Sequence, residues 1–157
     1  MTHTSNALAD PARELEVLMH EQIPITRAMG LRLRRCDDAG LVLAVPLAPN
    51  VNHEGTVFGG TQYSAAAAAG WALLHWQLAE RGLSGHIVIY HGDITYREPM
   101  DGDFDLICPM PSAAELEAFA ADFRGHGRAR LDLAVRVGEA ERPAVLFQGR
   151  YAVRSTA

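Results

Sequence analysis

The chain has 157 residues, of which 48% are hydrophobic and 21% charged, which is ordinary for one globular domain and excludes extensive disorder. A net charge of −5, with all 14 basic residues arginine and none lysine, argues against nonspecific nucleic-acid binding, which needs a basic surface. The most apolar stretch, Ala65 to Leu78, is broken by Gly70, His75 and Gln77, and Met1 to Ser5 lacks a signal-peptide pattern, so a cytoplasmic protein with neither a membrane nor a nucleic-acid partner is expected.

Residues 1–10 are expected to form a flexible N-terminus and residues 11–157 a single domain. Pro11 to His20 reads as a short helix, because Pro11 suits a first turn and Leu15, Leu18 and Met19 share helical spacing. A second short helix is expected over Ile23 to Met29, with Gly30 as its stop. Leu31 to Arg35 and Leu41 to Leu47 read as strands joined by the Asp37–Gly40 turn, and Pro46 and Pro49 end the pattern. A loop from Asn50 to Gly60 leads into the longest helical signal, Thr61 to Arg81, with Gly82 as its stop.

The first half of that helix has no polar face: Tyr63 and Ser64 are followed by five alanines, Gly70 and Trp71. A helix apolar nearly all round must be buried on most sides, and its small residues let a sheet approach the backbone closely. Strands are expected over His86 to Tyr96 and Asp103 to Cys108. Ala113 to Phe123 reads as a short helix or a covered connection. Arg128 to Val137 and Ala144 to Val153 read as a terminal hairpin. The fold class is therefore α+β, an antiparallel sheet around one long central helix.

The loop and helix start carry the strongest chemical signal. Gly59 and Gly60 permit a close approach, and the first turn of the helix offers unpaired N–H groups reinforced by the helix dipole. Such a site holds an anion, or a carbonyl oxygen that becomes negative during reaction, and Asn52 could add a neutral donor. The bland reading stands beside it: Asn52 caps its own loop and the glycines only make a turn. His53 and Glu54 are an acid/base pair or an exposed polar pair. Ser64 lacks a Gly-x-Ser-x-Gly elbow. Cys36 and Cys108 form neither a metal-binding spacing nor a disulfide framework, and His75, His86, His91 and His126 show no metal-ligand spacing, so no metal is expected. Tyr63 from the helix and Asp93 from the third strand could face the site or serve packing. The basic run Arg124 to Arg130, Arg128 above all, could hold a phosphate or be a solvated surface.

Pro46 to Gly60, followed by Tyr63–Ser64 and Gly70–Trp71, closely resembles the YiiD C-terminal-type hot-dog family. His91 to Pro99 resembles that family's third-strand signature and Gly149–Arg150–Tyr151 its closing strand, so the resemblance covers residues 17 to 154. Family members carry thioesterase labels, and one group is known as malonyl-acyl carrier protein decarboxylases. The resemblance implies a hot-dog fold and a homodimer, or dimer of dimers, with sites between subunits. It also implies a key asparagine at Asn52 and a thioester substrate on acyl carrier protein or coenzyme A. The phosphopantetheine arm would belong to that carrier, so no resident cofactor is expected.

The sequence departs from better-known hot-dog thioesterases, many of which have His-Gly-Gly before the helix and an acid about two turns into it. Here the first position is Phe58 and the equivalent of the acid is Ala67. Hydrolysis needs a base or nucleophile to bring water onto the carbonyl, and this helix supplies neither. Decarboxylation of a malonyl thioester needs only charge stabilisation at the thioester oxygen, for which Asn52 and the N–H of Gly60 or Thr61 are candidates. His53, Phe58, Gly59, Tyr63, Ser64, Ala67, Asp93 and Arg128 are the expected substrate-binding residues. Hydrolysis of an acyl thioester, or acyl-thioester binding without turnover, are the rival readings.

Overall fold

The computed structural model describes residues 10–156. The expected loose N-terminus lies outside that range except for Asp10, which is fixed: its carboxylate accepts a hydrogen bond from the Ala12 N–H at 3.1 Å and caps the first helix, α1 (Pro11–Gln22). Ala12, Leu15 and Met19 form its buried stripe. The second helix is shorter than expected, a single turn, α2 (Ile25–Ala28), because Pro24 serves as its N-cap. Gly30 ends it at φ 70°, as expected of a left-handed stop.

Strands β1 (Arg32–Asp37) and β2 (Gly40–Val45) form a hairpin with a bulge between Leu33 and Arg35. β2 stops two residues short of Leu47, because Pro46 has no N–H for the ladder, and Ala48–Asn50 turns into a short 3₁₀ segment. The long helix α3 (Gly59–Glu80) begins two residues before the expected start, which places both glycines in its first turn. Then come β3 (Gly85–Tyr96), β4 (Phe104–Pro109), α4 (Ala113–His126), β5 (Arg128–Val137) and β6 (Val145–Ser155). The uncertain segment after β4 is a true helix, with a reciprocal Ser112–Glu115 capping box at its start and Gly127 in the left-handed conformation at its end.

The six strands make one antiparallel sheet in the order β1-β2-β4-β5-β6-β3. It curls around α3, whose Ala65, Ala66, Ala68, Ala69 and Ala72 are buried with Leu131, Leu133, Val135, Phe147 and Tyr151 of the sheet. The closeness has a structural cause. A Cβ at Gly70 would collide with the Tyr151 hydroxyl, which donates to the Ala67 carbonyl at 2.9 Å. One long helix wrapped by one antiparallel sheet is the hot-dog arrangement. β3 pairs with β6 on one side and, among the described residues, with no strand on the other, and Val88, Ile89 and Tyr90 stand exposed along it.

Candidate active site at the start of the long helix

The 50–58 loop is held from inside. The buried Asn50 side chain donates to the carbonyls of Met29 and Pro46, both at 2.8 Å, and its own carbonyl accepts from the Phe58 N–H. Asn52 folds the loop tip: Oδ1 accepts from the N–H groups of Glu54 (2.9 Å) and Thr56 (3.1 Å), and Nδ2 donates to the Thr56 hydroxyl at 2.9 Å. Asn52 is thus a loop cap, as the bland reading had it. Its carboxamide carries two N–H hydrogens, however, and the turn employs one. The same bonds that fold the tip hold the amide in place.

At the start of α3, Phe58 supplies no side-chain cap. The N–H groups of Thr61 and Gln62 both turn back to the Phe58 carbonyl, at 3.1 and 3.3 Å. This narrows the expected donor pair. The Thr61 N–H is already engaged, which leaves the Gly60 N–H as the expected backbone donor, and Thr61 lines the neighbouring cavity. A Cβ on Gly60 would meet the Phe58 ring, an exposed side chain that would have to swing aside. Gly59 is pinned by Tyr96, whose hydroxyl donates to its carbonyl at 2.7 Å. Burial, with Tyr63 nearby, pushes the Tyr96 phenol up, so it stays a proton donor at neutral pH.

Two cavities border the N-terminal half of this helix. One, of about 320 Å³, is lined by Asn52, His53, Phe58 and Thr61, with Pro49 to Val51 as its wall. The other, also about 320 Å³, lies one turn further along α3 and is mostly apolar: Tyr63, Ser64, Ala67 and Trp71 face Ile87 and Ile89 of β3 and the α2 segment. Tyr63, Ala67 and Trp71 recur every four residues, so they share one helix face. Ala67 does line the cavity, and no carboxylate stands at that position. His53 and Glu54 lie 3.3 Å apart, both largely exposed, at the rim of the first cavity.

Asp93 and Arg128 are not brought to this place. Along β5, buried Leu131, Leu133 and Val135 face α3 and alternate with Arg128, Arg130 and Asp132 on the opposite face. Asp93 borders a hollow on that outer face with His91, Asp132 and Arg150. Arg128 also sits at the far end of the sheet, in register with Arg154 and through it with His86, whereas Tyr96 reaches the α3 start. His86 to Tyr96 spans about 33 Å at ~3.3 Å per residue. Trp71, Ile87 and Ile89, which line the apolar cavity, and Tyr96, which holds Gly59, were not singled out as candidates from the sequence. A four-residue stripe from Tyr63 through Ala67 could have flagged Trp71.

Among the described residues no cluster of three or more His, Cys, Asp or Glu is placed to hold a metal, and no helix is long and apolar enough to cross a membrane.

A family model described as "Putative thioesterase (yiiD_Cterm)" matches residues 12–155. A solved structure of a protein of unknown function from Chlorobaculum tepidum superposes with a TM-score of 0.88 at 31% identity, over 92% of this chain and 94% of that one. A protein from Shewanella oneidensis described as a "putative thioesterase" gives 0.79 at 25% identity, over 92% of this chain and 97% of that one. A Pseudomonas aeruginosa protein described as a "Probable Thioesterase" gives 0.77 at 20% identity, over 94% and 98%, and shares the fold.

Proposed function

The chain belongs to this yiiD_Cterm family of hot-dog proteins, and on that premise we propose that it acts on acyl thioesters and decarboxylates a malonyl thioester carried by acyl carrier protein. The observation that carries the reading is the lining of the α3 cavity: where water would be activated stands Ala67, between Tyr63, Ser64 and Trp71. In the step, the bond between Cα and the carboxylate breaks, carbon dioxide leaves, and its electron pair delocalises onto the thioester oxygen as an enolate. A proton from solvent then goes to carbon and leaves an acetyl thioester. Asn52 Nδ2 and the Gly60 N–H are the donors for that oxygen. One such donor is worth ~10²–10³ in rate. The apolar walls of Phe58 and the alanines disfavour the substrate carboxylate relative to neutral carbon dioxide.

Hydrolysis is favoured by one observation, the 3.3 Å His53–Glu54 pair at the rim of the first cavity, which could direct a water molecule. Parallel assays of carbon dioxide and free thiol from malonyl, acetyl and long-chain thioesters separate the two. Carbon dioxide with the thioester retained supports decarboxylation; thiol release without carbon dioxide supports hydrolysis.

We also propose that the protein works as a homodimer, or a dimer of dimers, through β3. A twelve-residue edge strand exposing Val88, Ile89 and Tyr90 is a template for another strand, and a second copy running antiparallel to it forms a closed, twofold contact. Such pairing would cover the open side of the Ile89-lined cavity. The setting this reading implies is cytoplasmic fatty acid synthesis.

A further inference from the structure

The outer face of the sheet carries a feature that acyl chemistry at α3 does not use. At its far end, Arg128 of β5 stands directly opposite Arg154 of β6, and Arg154 opposite His86 of β3, so two arginines and a histidine lie in one row across three strands. Like charges in direct cross-strand register are destabilising. The contrast within the same sheet is plain: four residues along β5, Asp132 faces Arg150 and the charges balance. Among the described residues, Arg128, Arg130 and Arg154 make no ion pair with a carboxylate. In a chain of net charge −5, an uncompensated basic row costs stability and gains from an anion laid across it.

The row borders a cavity of about 850 Å³, within the range of small-molecule sites, with His126 and a single acid, Asp122, on its α4 side. The next outward-facing row supplies the floor: Arg130, Ala152 and Val88 are in register, and Val88 is 56% exposed. Arg130 is held over the Tyr90 ring, 5.1 Å from its centroid, so its fork is oriented before any ligand arrives. A basic rim beside an apolar floor fits a ligand with clustered phosphates and a flat apolar body.

We propose that this cavity is a second, non-catalytic site that binds a nucleoside diphosphate, its phosphates bridged by Arg128, Arg154 and Arg130 and its base on the Val88–Ala152 floor. Guanidinium forks suit phosphate oxygens. Its arginines stand on the sheet face opposite α3 and none of its lining residues lines the acyl cavity, so it is separate from the acyl reaction.

The test is calorimetric titration of the purified protein with ADP and with inorganic pyrophosphate. ADP binds, and pyrophosphate binds more weakly because it lacks the base. Arg154→Gln weakens both by about tenfold or more, since a charge-assisted contact is lost, while the ligand-free variant melts no lower than the parent because a like-charge pair is relieved. Asp122→Asn tightens both. Turnover of acyl thioesters by Arg154→Gln is unchanged, which separates this site from the α3 reading. No heat from either ligand at millimolar concentration, or unaltered affinity in Arg154→Gln, overturns the site. Pyrophosphate binding as tightly as ADP overturns the nucleoside assignment.

Discussion

Asn52 folds its loop and is proposed to donate to the substrate oxygen, and the two roles respond to different substitutions. Asn52→Asp keeps the acceptor for the Glu54 and Thr56 N–H groups but removes the amide donor and places a negative charge beside the developing oxyanion. Its turnover is expected to fall by ~10²–10³ with an unchanged melting temperature; activity within a few-fold of the parent would remove Asn52 from the mechanism. The cysteines are expected to take no part. Burial pushes Cys108 up to about 12, and burial together with Asp37 and Glu80 does the same for Cys36. Iodoacetamide at pH 8 should therefore label neither thiol in the folded protein and leave activity intact. The same shifts set a pH dependence. Unfolded thiols ionise near 9, the folded ones only near 12, so unfolding releases protons between these values and stability falls as pH rises from 9 towards 12.

At the scale of the element, α3 is shaped by what it must pass. Gly70→Ala puts a methyl group into the Tyr151 hydroxyl and is expected to cost about 1–3 kcal/mol, seen as a melting temperature several degrees lower. Ala67→Asp places a carboxylate on the wall of the apolar cavity and should introduce measurable thiol release where the parent has little. A variant that stays folded yet releases no thiol would mean that position 67 does not reach the substrate. Much of this helix was legible in its residues, since a run of alanines flanked by Gly70 has few uses other than burial under a close sheet. Its start was not. Two glycines before Thr61 look like a turn, and only the Phe58 and Tyr96 rings packed against them show that they are the first turn itself. Pro46 similarly marks the end of β2, which stops at Val45 directly before it and two residues short of the expected Leu47.

On the scale of the whole molecule, the sheet order sorts the candidate residues. Alternation along β3 and β5 sends Asp93 and Arg128 to the outer face, a separation invisible without knowing which side α3 covers. Asn52, His53, Phe58 and Thr61 stay together because they are near neighbours in the chain, which is why sequence sufficed for them. Ile87 and Ile89 join the site only through the long-range placement of β3 along α3, and spacing alone could not announce them. The open β3 edge predicts a dimer at micromolar concentration, to be read by light scattering; a fully active monomer would remove the shared-site reading.

The central claim is that Asn52 and the Gly60 N–H stabilise negative charge on a thioester oxygen while the acid-free cavity beside Ala67 activates no water to attack it. A mass spectrum of malonyl-loaded acyl carrier protein after incubation tests it directly. Loss of the mass of carbon dioxide, with the carrier still acetylated, is the predicted result, and appearance of the free-thiol carrier without an acetylated form would contradict it.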